Sequence, residues 1–272
     1  MLNGRTKVCV IIGDPIAHTL SPAFHGAGYR ALGIDGEYVF IGARVVAADL
    51  TSAVAGARAM NFHAVTCTMP HKEAVLPLLD EVDAAARKIG AVNSIVNRAG
   101  RFIGYNTDWV GVTAPLQRRR DLAGVGCAVI GAGGTARAAV YGLRERGAEV
   151  TVFNRTVERA ERLAADLGCD FGGLDEMARI AAAQIVVQTT SVGLDSTTAS
   201  PVSPAVFRPG QIVLDVVYRS KPTPFLVAAA AAGADTVRGE EVFIEQGLAQ
   251  FELYTGRVPP RAPLEAVVRG AL

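Results

Sequence analysis

The chain has 272 residues, half of them hydrophobic and 19% charged, a balance that supports a packed globular protein and excludes a disordered one. With 27 Lys and Arg against 26 Asp and Glu the formal net charge is +1, which excludes the basic footprint of a nucleic-acid binder; the one cationic run, Arg118 to Arg120, reads as a solvated helix end. The apolar runs, of which FLVAAAAAGA is the longest, fall short of the roughly 20 residues needed to cross a bilayer, so no membrane partner is expected.

In chain order, MLNGRTK leads straight into the strand-like VCVII without the apolar core and small-residue cleavage site of a secretory signal, and a cytoplasmic protein is expected. Short β-branched or aromatic runs at 8–13, 37–43, 64–68 and 93–97 are bounded by Gly, Pro or Asn, with helical periodicity between them. This alternation predicts a mostly parallel sheet. A second series at 127–132, 149–154, 185–190, 212–218 and 234–238 repeats the pattern, so the fold class is α/β with two units in tandem. The boundary falls in 106–124, where an amphipathic stretch from Asp108 ends in the charged RRRDLAG, and the second unit ends near Gly239. The tail reads as two helices separated by Pro259-Pro260 and too short to fold alone. The predicted domains are therefore 1–107 with 240–272, and 108–239. Cysteines 9, 67, 127 and 169 are too widely spaced for a zinc or redox motif and read as reduced core thiols.

The most informative local pattern follows strand 127–132, where Gly131-Ala132-Gly133-Gly134-Thr135-Ala136 opens a helix. Gly131 allows a tight turn, Gly133 lets the backbone approach a pyrophosphate, and Ala136 allows close helix-to-strand packing, with free N–H groups and the helix dipole facing the phosphates. At the end of the next strand, where an NAD-binding fold carries a carboxylate for the ribose 2′-hydroxyl, the chain reads Asn154-Arg155-Thr156-Val157-Glu158-Arg159. Arg155 and Arg159 suit a 2′-phosphate, so NADP is the expected cofactor.

Three polar clusters fall at predicted strand ends in the first unit: Thr19 and Ser21 in the loop before a helix, Thr66-Cys67-Thr68-Met69-Pro70-His71-Lys72, and Asn93-Ser94 followed by Asn106-Thr107-Asp108. Their hydroxyls, amide, lysine and carboxylate suit a small polyhydroxylated molecule. A ketone that accepts hydride develops negative charge on oxygen, which a lysine can stabilise and protonate while a carboxylate holds the lysine in place. The four histidines lack the helical spacing of a zinc hydrolase, and no metal is expected.

With these residues in hand, the chain resembles the shikimate/quinate dehydrogenase family over nearly its whole length, through PIAHTLSP, MPHK, IGAVNSIV, GYNTDWVG, GAGGTARA, NRT, TTSVGL at 189–194, Asp215 to Tyr218 and the Gln246 helix. The resemblance implies an N-terminal substrate domain completed by the C-terminal helices, a Rossmann domain for NADP, and an active site in the cleft between them. It implies Lys72 and Asp108 as the catalytic pair. Substrate contacts carry over onto Thr19, Ser21, Thr66, Thr68, Asn93, Asp108, Tyr218 and Gln246, and further cofactor contacts onto Thr190, Ser191, Val192 and Gly239. Three positions depart from the family pattern: Thr19 replaces the first of two serines, Thr66 replaces an asparagine, and Glu241-Val242-Phe243-Ile244 replaces an apolar Gly-Met-Leu sequence. The implied activity is interconversion of shikimate and 3-dehydroshikimate in the chorismate pathway, by a monomer or homodimer whose partner is its small-molecule substrate. Quinate or aminoshikimate as substrate, and a weakly active NADP-binding regulator, remain as alternatives.

Overall fold

The structure, a computed structural model, describes residues 2–194 and 199–272. The chain divides into two compact units, Met1–Thr107 with Gly247–Ala271, and Asp108–Gln246 with Leu272.

The first unit begins with β1 (Lys7–Gly13), α1 (Ser21–Ala31), β2 (Tyr38–Arg44), α2 (Leu50–Ala59) and β3 (Ala64–Cys67). It continues through the single turn α3 (His71–Ala74), β4 (Glu81–Val82), α4 (Ala84–Ile89), β5 (Ser94–Arg98) and β6 (Arg101–Tyr105). Its sheet has the order β2-β1-β3-β5-β6-β4. The expectation of a mostly parallel sheet holds, since β1 pairs in parallel with β2 and β3 and β4 with β6; the exception is β5, which runs antiparallel to both β3 and β6. The cause is local. Ala99 and Gly100 both take positive φ, at 53° and 87°, which makes a two-residue turn of the mirror-image type that matches strand twist. Asn97 Oδ1 secures the turn by accepting from Gly100 N at 2.8 Å. The pair Ala-Gly is not the usual Asn-Gly signal, so β6 was not among the predicted strands; the two-residue β4 was also missed.

One face of this sheet packs Val10, Ile12, Val65 and Cys67 against Leu50, Val54, Val75, Ile95 and Phe102. On α1, His25 stacks on Phe40 at 4.3 Å between ring centroids, with Phe251 and Tyr254 of the C-terminal segment at 5.8 and 5.9 Å. Close approach there requires glycine: a Cβ on Gly28 would lie 2.4 Å from the Phe251 ring.

The second unit contains α5 (Asp108–Gln117), β7 (Gly126–Ile130), α6 (Gly134–Arg144), β8 (Glu149–Asn154), α7 (Val157–Leu167), β9 (Asp170–Gly173) and α8 (Met177–Ala182). Next come β10 (Ile185–Gln188), β11 (Ile212–Asp215), α9 (Pro224–Ala231), β12 (Asp235–Val237) and α10 (Gly239–Thr255), whose last turns belong to the first unit, followed by α11 (Arg261–Ala271). The sheet order is β12-β11-β10-β7-β8-β9 with every pairing parallel. The chain grows outward from β7 in one direction and then from β10 in the other, so the topological switch lies where those two strands end. Both faces are covered: Cys127 and Val129 pack into one core and Ala128 and Ile130 into the other, which explains the unbroken apolar run. Strand β9, too short and glycine-rich to register as a strand in sequence, completes one edge.

Two predicted strands end early for a visible reason. Strand β10 stops at Gln188, whose amide bonds the following loop, and β11 stops at Asp215, whose carboxylate accepts from Val217 N at 2.9 Å and turns the chain.

Candidate active site

The turn from β7 to α6 has the form its glycines suggest. Gly131 sits at φ +116°, and a Cβ there would meet Thr189 Oγ1 at 2.5 Å, so the turn lies against the loop after β10. Gly133 is extended, and a Cβ built on it meets no atom within 4 Å, so this backbone faces open space directly before α6. Ala136 is fully buried among Val129, Ala139 and Val140. An open glycine cradle at the N-terminus of an eleven-residue helix fits a dinucleotide pyrophosphate, because the first N–H groups of a helix have no intrahelical acceptor.

Arg155, Thr156 and Arg159 are exposed between β8 and the first turn of α7, and the Asn154 amide donates to Thr156 O at 2.8 Å. Arg159 reaches back to Ala132 O at 3.5 Å. Among the described residues neither arginine forms an ion pair, so Glu158 does not neutralise them. One guanidinium that reaches the glycine turn and a second exposed at the end of β8, where the strand ends on Asn154 and not on a carboxylate, fit a ribose carrying a 2′-phosphate.

A buried polar cluster shapes the rest of this side. Gln188 donates through Nε2 to Thr190 O and Val192 O, both at 3.1 Å, accepts from Thr190 N, and meets Asp215 Oδ1 at 3.3 Å. Asp215 Oδ2 accepts from Thr223 Oγ1 at 2.6 Å, and Thr223 caps α9. Thr190, exposed Ser191 and Val192 are thereby held by one interior amide. Sequence reading missed Gln188 and Thr223; a buried glutamine ending a strand of Ile and Val was the available signal.

Burial pushes the Asp215 carboxyl up to about 6, against the hydrogen bonds from Thr223 and Val217 that pull it down. Its folded-state value lies above the unfolded one, so its contribution to stability is fully present below the unfolded value and is lost as pH rises through about 6. Asp215→Asn cannot ionise. Its stability relative to wild type is expected to rise from pH ~4 to ~7 by at most about 3 kcal/mol. Urea denaturation of both proteins at the two pH values checks this, and a constant difference contradicts it.

Beyond Asp215, the half-buried Tyr218 ring lies 4.9 Å from the ring of Phe243, so the departure from Gly-Met-Leu supplies an aromatic wall to Tyr218. Gln246, one turn on, donates to Phe243 O at 3.0 Å. Gly239 begins α10 where a Cβ would lie 2.4 Å from Val217 O and 2.7 Å from Tyr218 N. Both are backbone atoms, so Gly239→Ala is expected to destabilise the protein by about 1–3 kcal/mol in thermal or urea denaturation. An unchanged melting temperature contradicts that close approach.

In the first unit, Thr19 Oγ1 and Ser21 Oγ are 3.2 Å apart where α1 begins, and Ser21 N donates to Thr19 Oγ1. Gly13 ends β1 against Thr68, whose Cγ2 would be 2.3 Å from a Cβ, so the loops after β1 and β3 lie side by side. Lys72 is half-buried on α3, and its carbonyl accepts from Val92 N at 2.7 Å, tying that turn to the approach to Asn93. Cys67 N donates to Asn93 O, which places Thr66, Thr68 and Asn93 at neighbouring strand ends. Asn93 Oδ1 accepts from Thr107 N at 2.9 Å and Asn93 Nδ2 donates to Thr107 Oγ1 at 2.9 Å. Asp108, 8% exposed, opens α5 of the second unit immediately after Thr107.

His25, His63 and His71 serve the interior: His63 Nε2 donates to Tyr254 O at 2.7 Å and His71 Nε2 donates to Val45 O at 2.8 Å. Burial pushes the thiols of Cys9, Cys67 and Cys127 up to about 12, so all three stay protonated. Among the described residues no three His, Cys, Asp or Glu side chains gather closely enough to hold a metal ion. No helix among them is long and apolar enough to cross a membrane.

Residues 11–95 match the family described as shikimate dehydrogenase substrate binding domain, residues 116–216 match shikimate / quinate 5-dehydrogenase, and residues 239–269 match the shikimate 5′-dehydrogenase C-terminal domain. The NADP(+) shikimate dehydrogenase of Syntrophobacter fumaroxidans is 39% identical over 98% of this chain and 94% of its own. The shikimate 5-dehydrogenase of Thermus thermophilus, solved in complex with NADP(H) and shikimate, is 36% identical with a TM-score of 0.90, covering 98% of this chain and all of the other. The shikimate dehydrogenase of Aquifex aeolicus is 33% identical with a TM-score of 0.92, covering 99% of this chain and all of the other. With three matching family models along its length and relatives 33–39% identical over nearly all of it, the chain belongs to the shikimate dehydrogenase family.

Proposed function

We propose that this protein is an NADP-dependent dehydrogenase that interconverts shikimate and 3-dehydroshikimate, a step of the chorismate pathway. The observation that carries the reading is the open Gly133 backbone before α6, with Arg159 reaching the turn and Arg155 exposed after β8, neither in an ion pair among the described residues, in a chain related over nearly its full length to NADP(+) shikimate dehydrogenases. The second unit takes the cofactor through Gly131 to Ala136, Asn154 to Thr156, Arg159, Thr190 to Val192 and Gly239. The first unit takes the substrate through Thr19, Ser21, Thr66, Thr68 and Asn93, with Tyr218 and Gln246 contributed from the second.

When bound, NADP supplies or accepts a hydride at the nicotinamide C4. Lys72 donates a proton from its ammonium to the oxygen of the reduced carbon, and takes it back in the oxidation. Asp108 holds that ammonium in place. Thr19 and Ser21 present hydroxyl donors to the substrate carboxylate. The protein is expected in the cytoplasm, as a monomer or homodimer.

The test is the reduced-nicotinamide absorbance on mixing protein, NADP and shikimate, repeated with quinate, aminoshikimate and NAD. Growth of the band with shikimate and NADP supports the proposal. Thr66 in place of an amide is the feature that makes quinate and aminoshikimate the second substrates to try, and a preference for either corrects the substrate while leaving the reaction class intact.

A further inference from the structure

Strands β10 and β11 run parallel and end side by side, with Gln188 opposite Asp215 in the register and both side chains fully buried. A buried amide or carboxylate is tolerated only when its hydrogen bonds are made. Those of Gln188 have directions fixed by the backbone it meets. Thr190 N can only donate, so the atom facing it is Oε1; Thr190 O and Val192 O can only accept, so the atom 3.1 Å from each is Nε2. The same nitrogen lies 3.3 Å from Asp215 Oδ1, so two N–H protons serve three acceptors, two on the loop after β10 and one on the neighbouring strand.

Asp215 holds the loop after β11 in the same manner. Its Oδ1 accepts from Val217 N at 2.9 Å, directly before Tyr218, and its Oδ2 accepts from Thr223 Oγ1 at 2.6 Å. That hydroxyl oxygen in turn accepts from Leu226 N at 3.3 Å in the first turn of α9. Two further contacts join the same loops: Arg219 Nη1 donates to Gly193 O at 2.9 Å, and a Cβ on Gly193, at φ +94°, would lie 3.3 Å from Thr223 Cγ2. The backbone at Thr190 and Val192 and the backbone at Val217 are thus bonded to two interior side chains that are bonded to each other.

We infer that Gln188 and Asp215 are positioning residues that make these two loops one unit, so that the cofactor contacts of Thr190 to Val192 and the substrate contact of Tyr218 are set together. This rests on the reading that the first loop faces NADP and Tyr218 a shikimate-like substrate. Neither interior side chain reaches the surface, so each acts through the backbone it holds. A loop that spends most of its time outside the competent arrangement binds more weakly in proportion.

The experiment compares Gln188→Met, which keeps the length of the side chain and loses its donors and acceptor, with Gln211→Met as a matched control. Gln211, also fully buried, precedes β11 at the opposite end of that strand and makes bonds of the same kind: Nε2 donates to Ala181 O at 3.2 Å and Ala183 O at 3.0 Å, and Oε1 accepts from Arg208 N at 2.8 Å. Both variants should melt at lower temperature. Only Gln188→Met is expected to raise Kd for NADP and for NAD, each by about tenfold, together with KM for shikimate at saturating NADP by about threefold or more. The two cofactors should weaken equally because the loop is assigned no contact with the 2′-phosphate. Hydrogen exchange of the free protein tests the coupling without any ligand: the amides of Thr190 and Val217 should lose protection together in Gln188→Met, although the bond from Val217 N to Asp215 is not one that the substitution removes. Unchanged cofactor affinity in Gln188→Met overturns the inference, as does loss of protection at Thr190 with Val217 left as in wild type. An equal loss of affinity in Gln211→Met also overturns it, since general loosening would then be the cause. Should Gln188→Met fail to fold, Gln188→Glu keeps the acceptor for Thr190 N, loses the donors and is read in the same way. A wild type that binds neither cofactor sinks the cofactor reading and the inference with it.

Discussion

Lys72→Ala is expected to lower turnover by about 10²–10⁴ while leaving NADP affinity unchanged. The lysine lies on α3 in the first unit, whereas the glycine turn and the arginines that fit the cofactor belong to the second. Its ammonium stabilises charge on the substrate oxygen that is largest in the transition state, so its loss falls mainly on kcat. Lys72→Met retains an unbranched stem but neither ionises nor donates, and should fall as far as the alanine variant. Asp108→Asn should act in the same direction by removing the charge that holds the ammonium, with a smaller loss because the lysine remains. Steady-state kinetics at saturating NADP, with cofactor affinity measured by fluorescence titration, separates these effects. Near wild-type turnover in Lys72→Ala would make the proposed proton donor wrong even with fold and cofactor right.

Arg155→Ala is expected to weaken NADP about ten- to hundredfold and NAD hardly at all. Only NADP carries the 2′-phosphate, and the exposed Arg155 has no carboxylate partner among the described residues to retain it elsewhere. Arg159 should show a smaller effect of the same kind, since it already leans on Ala132 O. Titration of each variant with both cofactors decides the matter. Equal weakening of both cofactors would move the arginines from phosphate recognition to general support of the loop.

Much of the fold is legible without the structure. The central parallel strands β7, β10 and β11 of the second unit stand out because each is buried on both faces, which demands an unbroken apolar run, and the glycine turn because its residues are contiguous. Elements recognised only by their partners were missed. Strand β6 exists because Ala99 accepts a positive φ once β5 has a strand to pair with, and β4 is two residues recognised through their pairing with β6. The candidate residues with local signatures, such as Thr66, Thr68 and Lys72 around Met69-Pro70, could be named in advance. The groups that orient them, Gln188, Thr223, Gln250 and Tyr254, could not.

The sequence by itself determined what depends on neighbours in the chain: the α/β class, the dinucleotide turn, the arginines in place of an acidic residue, and the family. Tertiary structure decided what depends on distant ones. Burial raised the Asp215 pKa and pushed that of His25 down to about 3. Gln250 meets Ser94 across 156 residues, and Thr107 N meets the Asn93 amide, contacts that together set which way the hydrogen bonds run behind Asn93. The reason is physical: a hydroxyl or an amide is donor and acceptor alike until its partners choose for it, and those partners are assembled by folding.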